Sequence, residues 1–284
     1  MASVRLVLAN DPVDAEAIDV WVDGLVGDDP VRFRLDTGAA HCIVPLLDAT
    51  QKLTVTGVDS GVGLSGTGLG DDEVVVPRLR LGDLVIKDVA ATRSVAGSPL
   101  SALLGMTALG RFRCEFRFSD HRLELDGRMS LDTGDWFELT SRVGTQPMVP
   151  VEFEAFVALA CWDTGAGLSA VDVDFAHSHP HLFEPVRATR GVDSSGVEIP
   201  SQLCRMAAFR VGGVQLSRAR ARSSTSVRST PCLSSQSRSS WACRRSSKPT
   251  GASTFRSAAG ACADRERTAD IAHSPGVPPG SVRL

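Results

Sequence analysis

Two stretches of the sequence place an acid at a tight corner between apolar runs: "FRLDTGAAHCIVP" at 33–45 and "LACWDTGAGLSAV" at 159–171. The chemistry open to them is that of paired carboxylates. Two aspartates brought together cannot both ionise, so the pair holds one proton. The ionised member can then draw a proton from water while the protonated member donates to a carbonyl. Asp and Gly populate turns generally, so one such triplet would mean little. Two triplets at matching points of an internal repeat, centred on Asp36 and Asp163, mean more. A third triplet, in "LDTGDW" at 131–136, lacks the following apolar run and reads as a turn around Asp132 in a connector.

The elements that must hold these corners read as strands. Alternation marks "AIDVWVDG" (17–24) and "VRFRLDTG" (31–38), joined by a turn at "LVGDDP". A Gly-rich patch "GVGLSGTGLGDD" and the alternating "EVVVPRLRLGDLVIKDVAATRS" follow, then a short helical stretch at about 102–111 and two hairpin strands. The second half repeats the plan. "VPVEFEAFVALACWDTGAG" matches the opening hairpin, and "AFRVGGVQL" (208–216) parallels "RLRLGDLVI" (78–86). A repeat of this size predicts two similar lobes. Gly38 and Gly165 would permit the tight turn, and Thr37 and Thr164 are the residues to offer hydroxyls to the opposite lobe's backbone.

With "LDTGA" at 35–39, "WDTGA" at 162–166 and "LLGMTAL" at 103–109, the chain resembles the aspartic proteases, and a fused retropepsin-like protein more than pepsin. The resemblance implies an all-β, two-lobed acid-protease β-barrel architecture with an inter-lobe cleft. Asp36 and Asp163 would be the dyad of an aspartic endopeptidase acting on an extended peptide or unfolded protein, without metal or organic cofactor. A flap would come from "GVGLSGTG" (61–68), with Gly63, Ser65, Gly66 and Gly68 over the substrate. Pepsin-like flaps carry a Tyr and this sequence has none, which favours the Gly-rich retropepsin style.

Weaker signals point nowhere else. Gly61, Gly63 and Gly66 spell GxGxxG, but no helix-forming stretch follows as a dinucleotide site needs. His177, His179 and His181 alternate in "HSHPH", which reads as a solvated loop. Cys42 and Cys161 read as small buried residues. Seven cysteines without CxxC spacing, a start without a secretory apolar run and no membrane-length stretch lead to the expectation of a reduced, cytoplasmic protein with no membrane partner.

The net charge of −3 hides an asymmetry. Residues 1–216 carry 18 Lys+Arg and 30 Asp+Glu, whereas 217–284 carry 12 and 3. The expected division is therefore a lobe at 1–128, a partial lobe at 129–217, and a basic Ser/Arg-rich segment at 218–284 that is disordered or frameshifted. A nucleic-acid arm fits the composition but not the position, because the basic segment begins where the second lobe should continue. Read one base out of step, with TCN for Ser and CGN for Arg, "SSWACRRSSK" gives three apolar-type codons, Gly and another apolar codon. That is compatible with a partner for "LLGMTAL". A frameshift near residues 217–222 is one expectation. The rival to an active endopeptidase is a protease-fold protein, impaired in catalysis, that binds peptides or pairs with itself.

Overall fold

The computed structural model of the 284-residue chain describes residues 2–10, 17–59, 71–94, 102–125, 134–136, 146–192, 197–211, 214–216, 219–224, 239–242, 268–270 and 282–283. The fold is all-β, with three short helices among the described residues.

In the N-terminal half, β1 (Ala2–Asn10), β2 (Ile18–Val26) and β3 (Asp29–Leu35) form an antiparallel meander. Alternation sets the faces: Val31, Phe33 and Leu35 are buried while Arg32 is exposed. The β2–β3 turn contains Gly27 at φ +61°, a left-handed conformation that glycine adopts without steric cost. There follow β4 (Cys42–Val44), α1 (Asp48–Gln51), β5 (Val55–Val58), β6 (Asp72–Leu81), β7 (Leu84–Arg93), β8 (Leu103–Leu104), α2 (Met106–Leu109), β9 (Cys114–Arg117) and β10 (Arg122–Leu125). The helix expected over about 102–111 spans only Met106–Leu109. Leu103 and Leu104 are instead a strand, parallel to β3 and antiparallel to β4, because their backbone groups complete the ladder behind Asp36.

After β11 (Gly134–Trp136), the second half contains β12 (Met148–Glu152), β13 (Val157–Asp163), β14 (Ser169–Asp172), α3 (Val173–Ser178), β15 (Phe183–Val192), β16 (Glu198–Met206), β17 (Phe209–Val211) and β18 (Val214–Leu216). The repeat read from the sequence recurs in the pairing. Phe209 faces Leu216 and Val211 faces Val214, as Leu79 faces Ile86 and Leu81 faces Leu84. Trp21 faces Arg34 as Met148 faces Cys161.

The sheet continues past the expected lobe boundary at 217. β19 (Ala219–Ser224) pairs with β16 and β14, and β20 (Ser239–Ala242) runs parallel to β13 and antiparallel to β14. Ladder bonds are made by the main chain, so a Ser- and Arg-rich segment can complete an edge that apolar side chains do not claim. β21 (Thr268–Asp270) and β22 (Val282–Arg283) pair at the side of β11 and β9. The two halves share one contiguous apolar core. Phe116 of the first half meets Trp162 of the second edge to face, with ring centroids 5.1 Å apart.

Candidate active site

Asp36 and Asp163 stand one residue beyond the end of β3 and at the end of β13, and the structure brings them together. Their loops are tied by four reciprocal hydrogen bonds. Thr37 N–H donates to Thr164 Oγ1 (3.1 Å), and Thr164 N–H donates to Thr37 Oγ1 (3.0 Å). Each hydroxyl in turn donates to a carbonyl across the junction, Thr37 to Trp162 (2.6 Å) and Thr164 to Leu35 (3.0 Å). Both threonines are buried, so every one of these groups needs its partner.

The glycines pack crosswise. A Cβ on Gly38 would lie 2.5 Å from the Asp163 carboxyl carbon, and one on Gly165 would clash with the Asp36 carboxyl group. Any side chain at either position would push the opposite acid away. Each acid also accepts a backbone bond from its own loop, Asp36 Oδ1 from Ala39 N–H and Asp163 Oδ1 from Gly165 N–H, both at 2.8 Å.

Burial raises the pKa of both carboxyls above the ordinary aspartate value, and the two share a hydrogen bond. For Asp163 the charge of Asp36 adds to burial and lifts it well above that value. For Asp36 the Ala39 N–H and the bond from Asp163 offset part of the rise. Burial and mutual repulsion therefore leave the pair holding one proton between its two carboxyls. Such a pair can deprotonate a water on one side and protonate an oxygen on the other.

Support comes from residues around the two loops. Met106 and Thr107 N–H groups donate to the carbonyls of Ala39 and Ala40 (2.9 and 3.1 Å), and Cys42 N–H donates to Thr107 Oγ1 (3.0 Å). Gly105 fits because a Cβ there would run into the carbonyls of His41 and Ala39. Gln146 Nε2 donates to the Gly38 carbonyl, linking the segment before β12 to the Asp36 loop. Arg34 forms an ion pair with Asp19 on β2. The apolar-apolar-Gly pattern pointed to the α2 segment. Nothing in the linear pattern pointed to Gln146 or to the Arg34–Asp19 pair.

Gly63, Ser65, Gly66 and Gly68 lie outside the described residues, as does Asp132. The arms flanking 60–70 are described: β5 pairs antiparallel with β6, Val58 opposite Asp72, and Asp59 N–H donates to the Asp71 carbonyl at 2.8 Å. The histidines are not simply a solvated loop. His177 is on α3, and the His179 ring lies 4.5 Å from Phe175 and 4.6 Å from Phe156, with Nδ1 2.9 Å from the Phe175 carbonyl. Aromatic packing and a backbone contact capture that one ring, while His177 and His181 stay exposed. Cys42 and Cys161 are buried, which pushes both thiols upward. Among the described residues no group of three His, Cys, Asp or Glu is arranged to hold a metal, and no helix is long and apolar enough to cross a membrane.

Residues 18–108 match the family model for aspartyl proteases, and the match supports an aspartic-protease assignment. No curated protein matches the chain. Among solved structures, a retropepsin-like aspartic protease from Rickettsia conorii is similar over 43% of this chain and 86% of its own, with 18% identity and a TM-score of 0.29.

Proposed function

We propose, from that assignment and the paired loops, that the protein is an aspartic endopeptidase with Asp36 and Asp163 as its dyad. The observation that carries this reading is the reciprocal threonine lock, which holds two otherwise repelling carboxyls in contact. Asp36 takes a proton from a water held between the acids, and the oxygen of that water attacks the scissile carbonyl carbon. Asp163 gives its proton to the carbonyl oxygen. The resulting tetrahedral diol collapses as the proton gained by Asp36 passes to the leaving amine, and the diol's return proton restores Asp163. The substrate is an extended peptide or unfolded protein, paired through its main chain under residues 61–68. No metal or cofactor takes part, and neither nucleic acid nor membrane is a partner in this reading. Hydrolysis of an unfolded protein across about pH 3–7, blocked by a statine-type inhibitor, tests it. Hydrolysis indifferent to the inhibitor overturns it.

A second reading, of a catalytically impaired protein that binds peptides or pairs with itself, has its own observation. β20 runs beside β13 where β8 runs beside β3: Trp241 is opposite Trp162 as Leu104 is opposite Leu35. The position of Gly105 is therefore taken by Ala242. Read one base out of step, Trp (TGG) followed by Ala (GCN) gives GGC, glycine, whatever the third bases. Ser240–Trp241 and Ala242–Cys243 each give NTG, which encodes Leu, Met or Val. The alternative frame thus spells apolar-Gly-apolar at the register position of Leu104, Gly105 and Met106. This favours a frameshift near residues 217–222, with the chain as written impaired because Asp163 lacks its proper support. Resequencing the gene decides it. A single-base change restoring the apolar-Gly-apolar segment supports the frameshift, and an early stop in the shifted frame overturns it.

A further inference from the structure

We infer that Gln146 is a positioning residue of the dyad: its side chain fixes the peptide plane between Gly38 and Ala39, and through that peptide the Asp36 carboxyl. The inference rests on the dyad reading above and adds to it a residue outside both triplets.

Gln146 is half-buried in the segment that leads into β12, and the residues after it are anchored in the second half. Trp162 N–H donates to the Pro147 carbonyl at 2.8 Å, and Met148 pairs with Cys161. From that anchor the side chain crosses to the first half, where Nε2 donates to the Gly38 carbonyl. The Gly38 carbonyl and the Ala39 N–H are the two ends of one peptide group. A trans peptide is planar with these ends opposed, so holding the carbonyl aims the N–H. That N–H donates to Asp36 Oδ1 at 2.8 Å. Bonds linked in this way polarise one another, and the one that ends on a carboxylate is the strongest kind.

The room for error is small. Gly38 lies so close to Asp163 that a Cβ there would be 2.5 Å from its carboxyl carbon. Rotation of the Gly38–Ala39 peptide therefore alters both the bond to Asp36 and the gap to Asp163. Three successive carbonyls of this loop are held: Ala39 and Ala40 by the Met106 and Thr107 amides of α2, and Gly38 by Gln146. Of the three, the Gly38 bond alone reaches across from the other half. The repeat does not duplicate it. Trp21 faces Arg34 as Met148 faces Cys161, which makes Asp19 the counterpart of Gln146. An ionised carboxylate only accepts hydrogen bonds, and Asp19 pairs with Arg34. The backbone bond of Asp163 also comes from a different peptide, through Gly165 N–H.

The test compares Gln146→Met, Gln146→Glu and Gln146→Lys in the full chain by amide hydrogen exchange and by kcat and KM at about pH 7, where glutamate is ionised. Gln146→Met should speed exchange of the Ala39 amide about tenfold and leave the Thr37 and Thr164 amides unchanged. It should lower kcat by about tenfold with little change in KM. Gln146→Glu keeps the shape without the donor and should behave like Gln146→Met, whereas Gln146→Lys restores a donor and should stand nearer wild type. A packing role predicts the reverse order, and a general loosening speeds all three amides alike. Either result overturns the inference. If Gln146→Met does not fold, the order of the other two variants decides. The expected exchange changes in a chain without hydrolysis would keep this inference and sink the protease reading. Inhibitor-sensitive hydrolysis with an unmoved Ala39 amide would do the reverse.

Discussion

The loops around Asp36 and Asp163 make the same bonds to each other and rest on different foundations. Across the junction they are equivalent, each giving a threonine hydroxyl to the other's backbone and a glycine to the other's carboxyl. Behind the junction they part. The Asp36 loop is backed by Leu104, the enclosed Gly105, and the Met106 and Thr107 amides. The Asp163 loop has beside it a strand of Ser, Ser, Trp and Ala from the basic segment. The lesson is that symmetric contacts at a junction can coexist with unequal supports.

The equivalence across the junction can be broken most severely at the acids. Asp36→Asn or Asp163→Asn should each lower kcat/KM by about a thousandfold or more, with circular dichroism unchanged. Substantial hydrolysis by either variant would mean that the two loops do not act as a pair.

The crosswise glycines come next. Gly38→Ala and Gly165→Ala should each displace the opposite carboxyl and cost about a hundredfold in rate while the chain still folds. A large loss in one and none in the other would show that the two loops yield unequally.

The threonine lock should show in stability. Thr37→Val or Thr164→Val leaves a buried N–H without its acceptor and should destabilise by about 1–3 kcal/mol in urea unfolding. The double variant should cost less than the sum, since losing one hydroxyl's pair of bonds already loosens the junction that holds the other's. Simple additivity would mean the two hydroxyls do not work as one unit.

A smaller effect follows from the buried proton. Asp163 has a raised pKa in the folded state, so folding takes up a proton as pH rises above the ordinary aspartate value near 3.8. Its contribution is fully present below that value and is lost as pH rises through the folded pKa. Asp163→Asn removes the dependence, so its Tm advantage over wild type should grow from acidic to neutral pH. An advantage that does not change with pH would argue against a buried proton. The smallest effect is expected at Asp132→Asn, in the triplet that the sequence pattern alone sets apart from the other two, which should leave both rate and Tm unchanged.

Much of this was legible in the linear sequence because strand periodicity and turn chemistry are local. Alternation in 31–35 and the repeat of 78–86 by 208–216 recur as paired strands with matching registers. The acids were legible because a triplet at equivalent points of a repeat is a local pattern counted twice. The extent of α2 was not, since Leu103 and Leu104 become a strand only when β3 and β4 offer them partners. His179 was misjudged for the same reason: its ring is held by Phe156, more than twenty residues away.

What the sequence by itself determined is the set of chemical parts: two acids, two hydroxyls, two glycines, an all-β plan with an internal repeat, and a change of composition after residue 216. The tertiary structure decided which parts meet. The threonine bonds span 127 residues of chain, the Gln146 bond to Gly38 spans 108, and the Arg34–Asp19 pair joins neighbouring strands at a diagonal. Such contacts depend on register and on how the two halves of the chain share one core, and no local propensity encodes either. The raised pKa of the two acids is likewise a tertiary property, because burial sets it, while an aspartate on the open chain titrates at its ordinary value.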